Sequence, residues 1–137
     1  AGLISARGFN IDSLTVSTTE DPTISRMTIV VDADAPKLEQ VKNQLNRLID
    51  VIEVQELKES ECLDRELLLA RVKSNGSTRV ELEQLATRFG AKVADATPTS
   101  VVIEAAGDSK TLDQLVEYLK VHGITKLVRT GRVALER

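Results

Sequence analysis

The order in which the hydrophobic period changes along residues 65–137 narrows the fold more than any single motif: strand, helix, strand, strand, helix, strand. Leu67–Val72 reads as an apolar strand, and Ser100–Ala106 as another in which Val101 and Ile103 alternate with their neighbours. Leu82, Leu85, Ala86 and Phe89 fall on one helical face, introduced by Thr78-Arg79-Val80-Glu81 at the spacing of a capping box. Leu112, Leu115, Val116 and Leu119 form a second helical stripe, with Asp108 ahead of it. Lys92–Thr97 and Ile124–Arg129 supply the remaining strands, and Arg132–Leu135 is a candidate for a short extra one. Gly90 and Gly123 each follow a helical stretch, where a left-handed terminal residue is expected.

Residues 1–57 repeat this order with the first strand absent. A helix closes at Gly8, and a strand runs through Leu14–Ser17. Glu20-Asp21-Pro22-Thr23 supplies turn chemistry, and Met27, Ile29 and Val31 alternate in Arg26–Asp32. Leu38, Val41, Leu45 and Leu48 make a helical face behind Asp34 as cap and Pro36 in the first turn, and Ile52 and Val54 alternate in Val51–Glu56. The spacing Leu3-x4-Gly8-x2-Ile11 returns as Leu85-x4-Gly90-x2-Val93. The fold class this predicts is α+β. Two ferredoxin-like (βαββαβ) units span 1–57 and 65–137, each a sheet with helices on one face, joined by an acidic, aperiodic linker over 58–64. Units of about 70 residues or fewer with one bare sheet face need bracing. Packing against the other unit or an identical chain answers that need, and a homodimer is expected.

Composition removes several function classes. Phe9, Phe89 and Tyr118 are the only aromatics, too few for the stacking that sequence-tolerant single-strand binding uses. Lys126, Arg129, Arg132 and Arg137 are dispersed, and alternation over this strand sets Lys126 and Arg129 on opposite faces, so no nucleic-acid partner is expected. No apolar run reaches membrane-spanning length. Residues 1–57 carry five Lys/Arg against nine Asp/Glu, and residues 65–137 twelve against nine, so the two units present different surfaces. Cys62 is the only cysteine and lies in a polar stretch with no His or cation beside it, as expected of a structural thiol in a reducing compartment. His122, the sole histidine, precedes Gly123 at a helix end, where it is expected to satisfy terminal carbonyls. One Cys and one distant His cannot make a zinc site, and no Gly-rich phosphate loop exists. Glu81 and Glu83 read as solvated, and Arg65-Glu66 as ordinary surface ions. Nothing here resembles a catalytic constellation. The opening at Ala1, in mid-helix by its pattern, implies an upstream segment and leaves any targeting signal out of view.

What remains is Asn10, just past a helix end and at the mouth of a strand. As a structural residue it tolerates left-handed backbone geometry. As a functional one, its carboxamide offers both a donor pair and an acceptor, which suits holding a free amino acid by its ammonium and carboxylate. Physics alone leaves both readings open.

Arg7–Val16, Glu20-Asp21-Pro22, Ser25-Arg26-Met27-Thr28-Ile29 and Gln44–Val51 closely resemble the regulatory small subunits of acetolactate (acetohydroxyacid) synthase. So do Arg65-Glu66-Leu67, Ala91-Lys92 and Arg129-Thr130-Gly131-Arg132-Val133-Ala134-Leu135. The resemblance implies an ACT domain over 1–57, its first strand missing from this sequence, followed by a second ferredoxin-like domain. It implies a non-enzymatic, dimeric, cytoplasmic (in a plant, plastidic) subunit that activates a separate catalytic subunit carrying thiamine diphosphate, FAD and magnesium. That subunit would confer feedback inhibition by a branched-chain amino acid, valine above all. Asn10 and Ile11 are the positions that carry over as effector-binding residues. Where family members often have Val-Glu-Arg-Glu, this chain has Leu63-Asp64-Arg65-Glu66. Two rivals differ in class. A small free-standing hydrolase would be active alone, and an amino-acid-responsive transcription factor would need a DNA-reading helix pair.

Overall fold

The computed structural model describes residues 10–32, 34–48, 50–58 and 61–137, and the helix expected before Gly8 lies outside them. Its elements are β1 (Asn10–Thr18), β2 (Ser25–Asp32), α1 (Ala35–Asn46), β3 (Cys62–Lys73) and α2 (Arg79–Arg88), then β4 (Lys92–Ala96), β5 (Ser100–Gly107), α3 (Ser109–Lys120), β6 (Ile124–Arg129) and β7 (Val133–Glu136). Two compact units divide the chain: Ala1–Leu63 with Arg132–Arg137, and Asp64–Gly131. The C-terminal residues 132–137, assigned by the sequence to the second domain, thus cluster with the first. β3 opens at Cys62, so residues 62–64 of the expected linker are strand.

In the second unit the strand order is β4-β5-β3-β6, with every neighbouring pair antiparallel. The crossover from β3 through α2 to β4 skips a strand, which β5 then fills; this is the split βαβ of a ferredoxin-like unit. Alternation selects the face. Leu68, Ala70 and Val72 of β3 are buried while Leu67, Leu69 and Arg71 are exposed. Across the β3–β5 pair a large residue meets a small one, Leu68 opposite Ala105 and Ala70 opposite Ile103. That leaves room for Leu82, Leu85 and Ala86 of α2 and for Leu112, Leu115 and Leu119 of α3, which close the core. Each fully buried Leu contributes about 1.5–3 kcal/mol.

Caps and turns place the helices. Asp108 Oδ1 accepts the Thr111 N–H at 2.8 Å and starts α3, as the sequence indicates. At α2 the capping box does not form, because Thr78 makes no side-chain cap bond. The carboxamide oxygen of Asn75 takes the Ser77 and Thr78 N–H groups instead, at 2.9 and 3.0 Å, and Thr78 Oγ1 accepts from the Asn75 N–H. Gly123, before β6, has φ +94°, and the space a Cβ would need holds the Lys73 Cδ at 3.3 Å.

The first unit is built on the β1–β2 hairpin. Its turn is fixed by Asp21, whose carboxylate accepts the Thr23 N–H at 3.0 Å and the Thr23 hydroxyl at 2.7 Å. Those two bonds hold the Asp21 carboxyl below its ordinary range, the backbone bond contributing most. Asp34 Oδ1 accepts the Lys37 N–H at 3.1 Å and caps α1, with proline in the first turn, both as expected. Val51–Glu56 is not a strand: residues 51–58 carry no ladder, and Ile52 is 81% exposed. Alternation chooses a face but does not supply a partner. In the second unit the equivalent strand, β6, pairs with that unit's first strand; the described residues of the first unit hold no counterpart to β3. The short extra strand expected near the C-terminus is β7, which pairs with β3. Arg26 Nη2 donates to Ala134 O at 2.9 Å, and the Arg137 N–H to Glu61 O at 3.0 Å.

Candidate functional site

Asn10 opens β1 opposite Asp32, at the end of the hairpin away from its turn. The Asn10 side chain lies outside what the structure describes. Ile11 is half-buried and packs with Ile29 and Leu45 around Val41, which is 4% exposed. The pair therefore stands where β1 begins, with the apolar member seated on α1.

A β-bulge puts Ile11 there. The register runs Ile11–Val31, then Ser13–Val30, then Leu14–Ile29, leaving Asp12 as the extra residue. Without the bulge, with Asp12 as an ordinary strand residue, strict alternation would send Ile11 to the face of Ser13 and Thr15. With it, Ile11 shares a face with Leu14 and Val16, the face on which α1 packs. The opposite face is lined with hydroxyls. Ser13 Oγ and Thr15 Oγ1 are buried there without a hydrogen-bond partner among the described residues. Unmatched buried hydroxyls cost about 1–3 kcal/mol each, so a polar group reaching them would be held. The sequence reading passed over both, although hydroxyl residues alternating inside a strand were a visible signal.

A shallow depression of about 260 Å³ in the second unit is lined by Lys73, Ser74, Asn75, Thr78, Val121 and His122. Ser74 Oγ accepts from Arg79 Nε at 3.4 Å and donates to Asn75 O at 3.4 Å, so it is a turn residue with no base beside it. The His122 Nε2 stands 3.9 Å from Glu81 Oε1, and its backbone N–H donates to Leu119 O. The imidazole thus faces Glu81, and the helix carbonyl it was expected to satisfy is met by its own main chain. Cys62 is buried and free. Among the described residues no group of three His, Cys, Asp or Glu could hold a metal ion, and no helix is long and apolar enough to cross a membrane.

The charged motifs resolve differently from their surface reading. Glu66 pairs with Arg129 rather than with Arg65. Arg129 Nε donates to Glu66 Oε1 at 3.3 Å and Nη2 to Oε2 at 3.1 Å. The same guanidinium reaches Asp113 at 2.6 Å and Ser109 O at 3.0 Å, tying β3 and β6 to the first turn of α3. Burial disfavours its charge, but the bonds to Glu66 and Asp113 outweigh that and raise the Arg129 pKa above its ordinary value. Lys126 aligns with Arg71 and Arg129 with Leu68, which puts the two cations on opposite faces of β6.

Comparison with known proteins follows these two blocks. A family model described as an AHAS small subunit-like ACT domain matches residues 1–53, and one described as the small subunit of acetolactate synthase matches residues 65–137. The chain is 43% identical to the acetolactate synthase small subunit of Haemophilus influenzae, over 99% of this chain and 84% of that protein. It is 45% identical to the probable acetolactate synthase small subunit of Archaeoglobus fulgidus, over 100% of this chain and 86% of that one. The crystal structure of the acetolactate synthase small subunit of Thermotoga maritima superposes with a TM-score of 0.91 at 30% identity, covering 99% of this chain and 85% of the other.

Proposed function

The chain belongs to the acetolactate synthase small-subunit family, and we propose that it acts as the regulatory subunit of that synthase, performing no chemistry itself. In this reading it binds and activates a catalytic subunit, which carries thiamine diphosphate, FAD and magnesium, and makes it sensitive to a branched-chain amino acid, valine first. The observation that carries the reading is a likeness spanning the whole chain to proteins named as acetolactate synthase small subunits. A cytoplasmic location goes with it, as does a free thiol at Cys62.

The effector is held at the opening of β1, between two copies of the first unit. The Asn10 carboxamide donates to the effector carboxylate and accepts from its ammonium, while Ile11 meets its aliphatic side chain. The position of Ile11 supports a coupling route. A ligand that presses on Ile11 presses through it on Val41 and Leu45 of α1. An effector that binds one arrangement of the dimer better by roughly 1–3 kcal/mol shifts the balance between the arrangements by about 5- to 150-fold. Linkage makes this reciprocal in binding: the catalytic subunit alters effector affinity by the same factor.

Titrating the purified chain into its catalytic subunit, with acetolactate formation measured with and without valine, tests the proposal. Activation by the chain together with new valine sensitivity is the expected result. A catalytic subunit equally active and equally valine-resistant with and without the chain would refute it.

A further inference from the structure

Residues 132–137 follow directly on β6 in the chain, yet the first unit holds them. From β2, Arg26 Nη2 donates to Ala134 O at 2.9 Å in a part-buried bond. From the segment after α1, Gln55 Nε2 donates to Glu136 Oε2. From the residues entering β3, Glu61 O accepts the Arg137 N–H at 3.0 Å and Cys62 O accepts Arg137 Nε at 3.4 Å. Thr130, by contrast, is fastened within the second unit: its N–H donates to Leu67 O and its Oγ1 accepts the Leu67 N–H, both at 2.9 Å. Gly131, Arg132 and Val133 are all that separate Thr130 from Ala134, too short a run of chain to hold much slack.

The second unit does not need β7 for its own fold. Its strand path β4-β5-β3-β6 is complete with β7 off it, and the core cluster under α2 and α3 takes no residue from 132–137. In the first unit β7 is gripped from two sides. Arg26 lies opposite Ser17 on the hairpin face of Ser13 and Thr15, away from α1. Gln55 adjoins Glu56, whose carboxylate meets Lys42 of α1 at 3.5 Å, and Lys42 adjoins Val41, against which Ile11 packs. The Arg26 guanidinium has no ion-pair partner among the described residues. It is engaged with a main-chain carbonyl, a bond weaker than a carboxylate pair and therefore easier to release.

We propose that β7 is a strap through which the effector state of the first unit reaches the second, with Arg26 and Gln55 as the positioning residues that set its grip. The inference rests on the regulatory reading above and names the route that regulation takes. An effector pressing on Ile11 moves α1 against the hairpin, and β7, bonded on both sides, moves with them. Covalent continuity then delivers that movement through Gly131 to Thr130 and β6. Coupling requires an element whose contacts differ between the two states, and a strap held by releasable side-chain bonds meets that requirement.

The full chain carrying Arg26→Leu with Gln55→Leu loses both side-chain bonds to β7 and keeps Asn10 and Ile11. It should activate the catalytic subunit as the unaltered chain does and, by calorimetry on the chain alone, bind valine within about twofold of it, while maximal valine inhibition falls by about half or more. In the unaltered protein, valine affinity should differ between the free chain and the complex; in the double variant the two affinities should converge, which a merely structural defect would not produce. Arg26→Lys, which keeps a cation and a donor, should retain most of the inhibition. A second measurement needs no variant: in the unaltered complex, valine should change hydrogen exchange at the amides of Val133–Glu136 by about threefold or more. Inhibition as deep in the double variant as in the unaltered chain, or exchange over Val133–Glu136 indifferent to valine, overturns this inference and leaves the regulatory reading standing. A folded double variant that no longer binds valine also overturns it, because Arg26 and Gln55 then serve the pocket. If the double variant does not fold, the exchange measurement decides. An unaltered chain that confers no valine sensitivity overturns the regulatory reading and this inference with it.

Discussion

Arg129→Leu should destabilise the second unit far more than loss of a surface ion pair would. The Glu66 side chain is only 9% exposed and that of Arg129 23%, so removing the guanidinium leaves a nearly covered carboxylate without its cation. Breaking a fully buried pair from one side costs about 3–5 kcal/mol, whereas an exposed pair is worth about 0–1 kcal/mol. Partial exposure of Arg129 moves the expectation down from the buried limit, and Asp113, 66% exposed, adds little. About 2–4 kcal/mol is expected. Replacing both partners, Glu66→Leu with Arg129→Leu, removes the stranded charge and should recover at least half of the loss. The double-mutant cycle should then return a coupling of about 1–3 kcal/mol. Urea unfolding followed by far-UV circular dichroism measures this, since the chain has no Trp to report by fluorescence. A cost for Arg129→Leu below about 0.5 kcal/mol, or a double variant no more stable than the single, would refute the reasoning.

Leu115→Ala, at a position 0% exposed between α3 and the sheet, should cost about 2–5 kcal/mol in the same assay. Gly123→Ala should cost about 1 kcal/mol or more, because φ +94° disfavours any side chain and Lys73 occupies the space; an unchanged midpoint would contradict that geometry. Asp108 is held below its ordinary 3.8 by the Thr111 backbone N–H first and the Thr111 side chain second. A depressed carboxyl pKa contributes stability that is present above 3.8 and lost as pH falls through the lower folded value. Asp108→Asn keeps a capping acceptor without the titration, so acid unfolding across about pH 5 to 2 should lose part of its slope; an identical slope would count against the cap.

The second unit was readable because its elements announce themselves locally. Leu112, Leu115 and Leu119 mark one helix face, Val101 and Ile103 one strand face, and Asp108 behaves as the cap it looks like, as Asp34 does in the first unit. Local spacing also misled. Thr78 and Glu81 have capping-box spacing, yet Thr78 Oγ1 is engaged by the Asn75 N–H, three positions earlier, in the turn where Asn75 itself takes the Ser77 and Thr78 N–H groups. Val51–Glu56 alternates like a strand and lacks a ladder, since pairing is a tertiary property. The Glu66–Arg129 pair joins residues far apart in the chain and leaves no local trace. The bulge at Asp12 did leave one. Ile11 and Leu14 are three apart where a strand has two, and that broken period is the signature of the extra residue that swings Ile11 onto the helix-covered face.

The central claim, that the opening of β1 holds a regulatory amino acid, meets its most direct test in valine inhibition curves for the reconstituted synthase carrying Asn10→Ala. Activation of the catalytic subunit should persist, and the valine concentration giving half-inhibition should rise about tenfold or more, as loss of paired polar contacts in a binding site requires. An inhibition curve superimposable on that of the unaltered chain, with activation equally intact, would contradict the account.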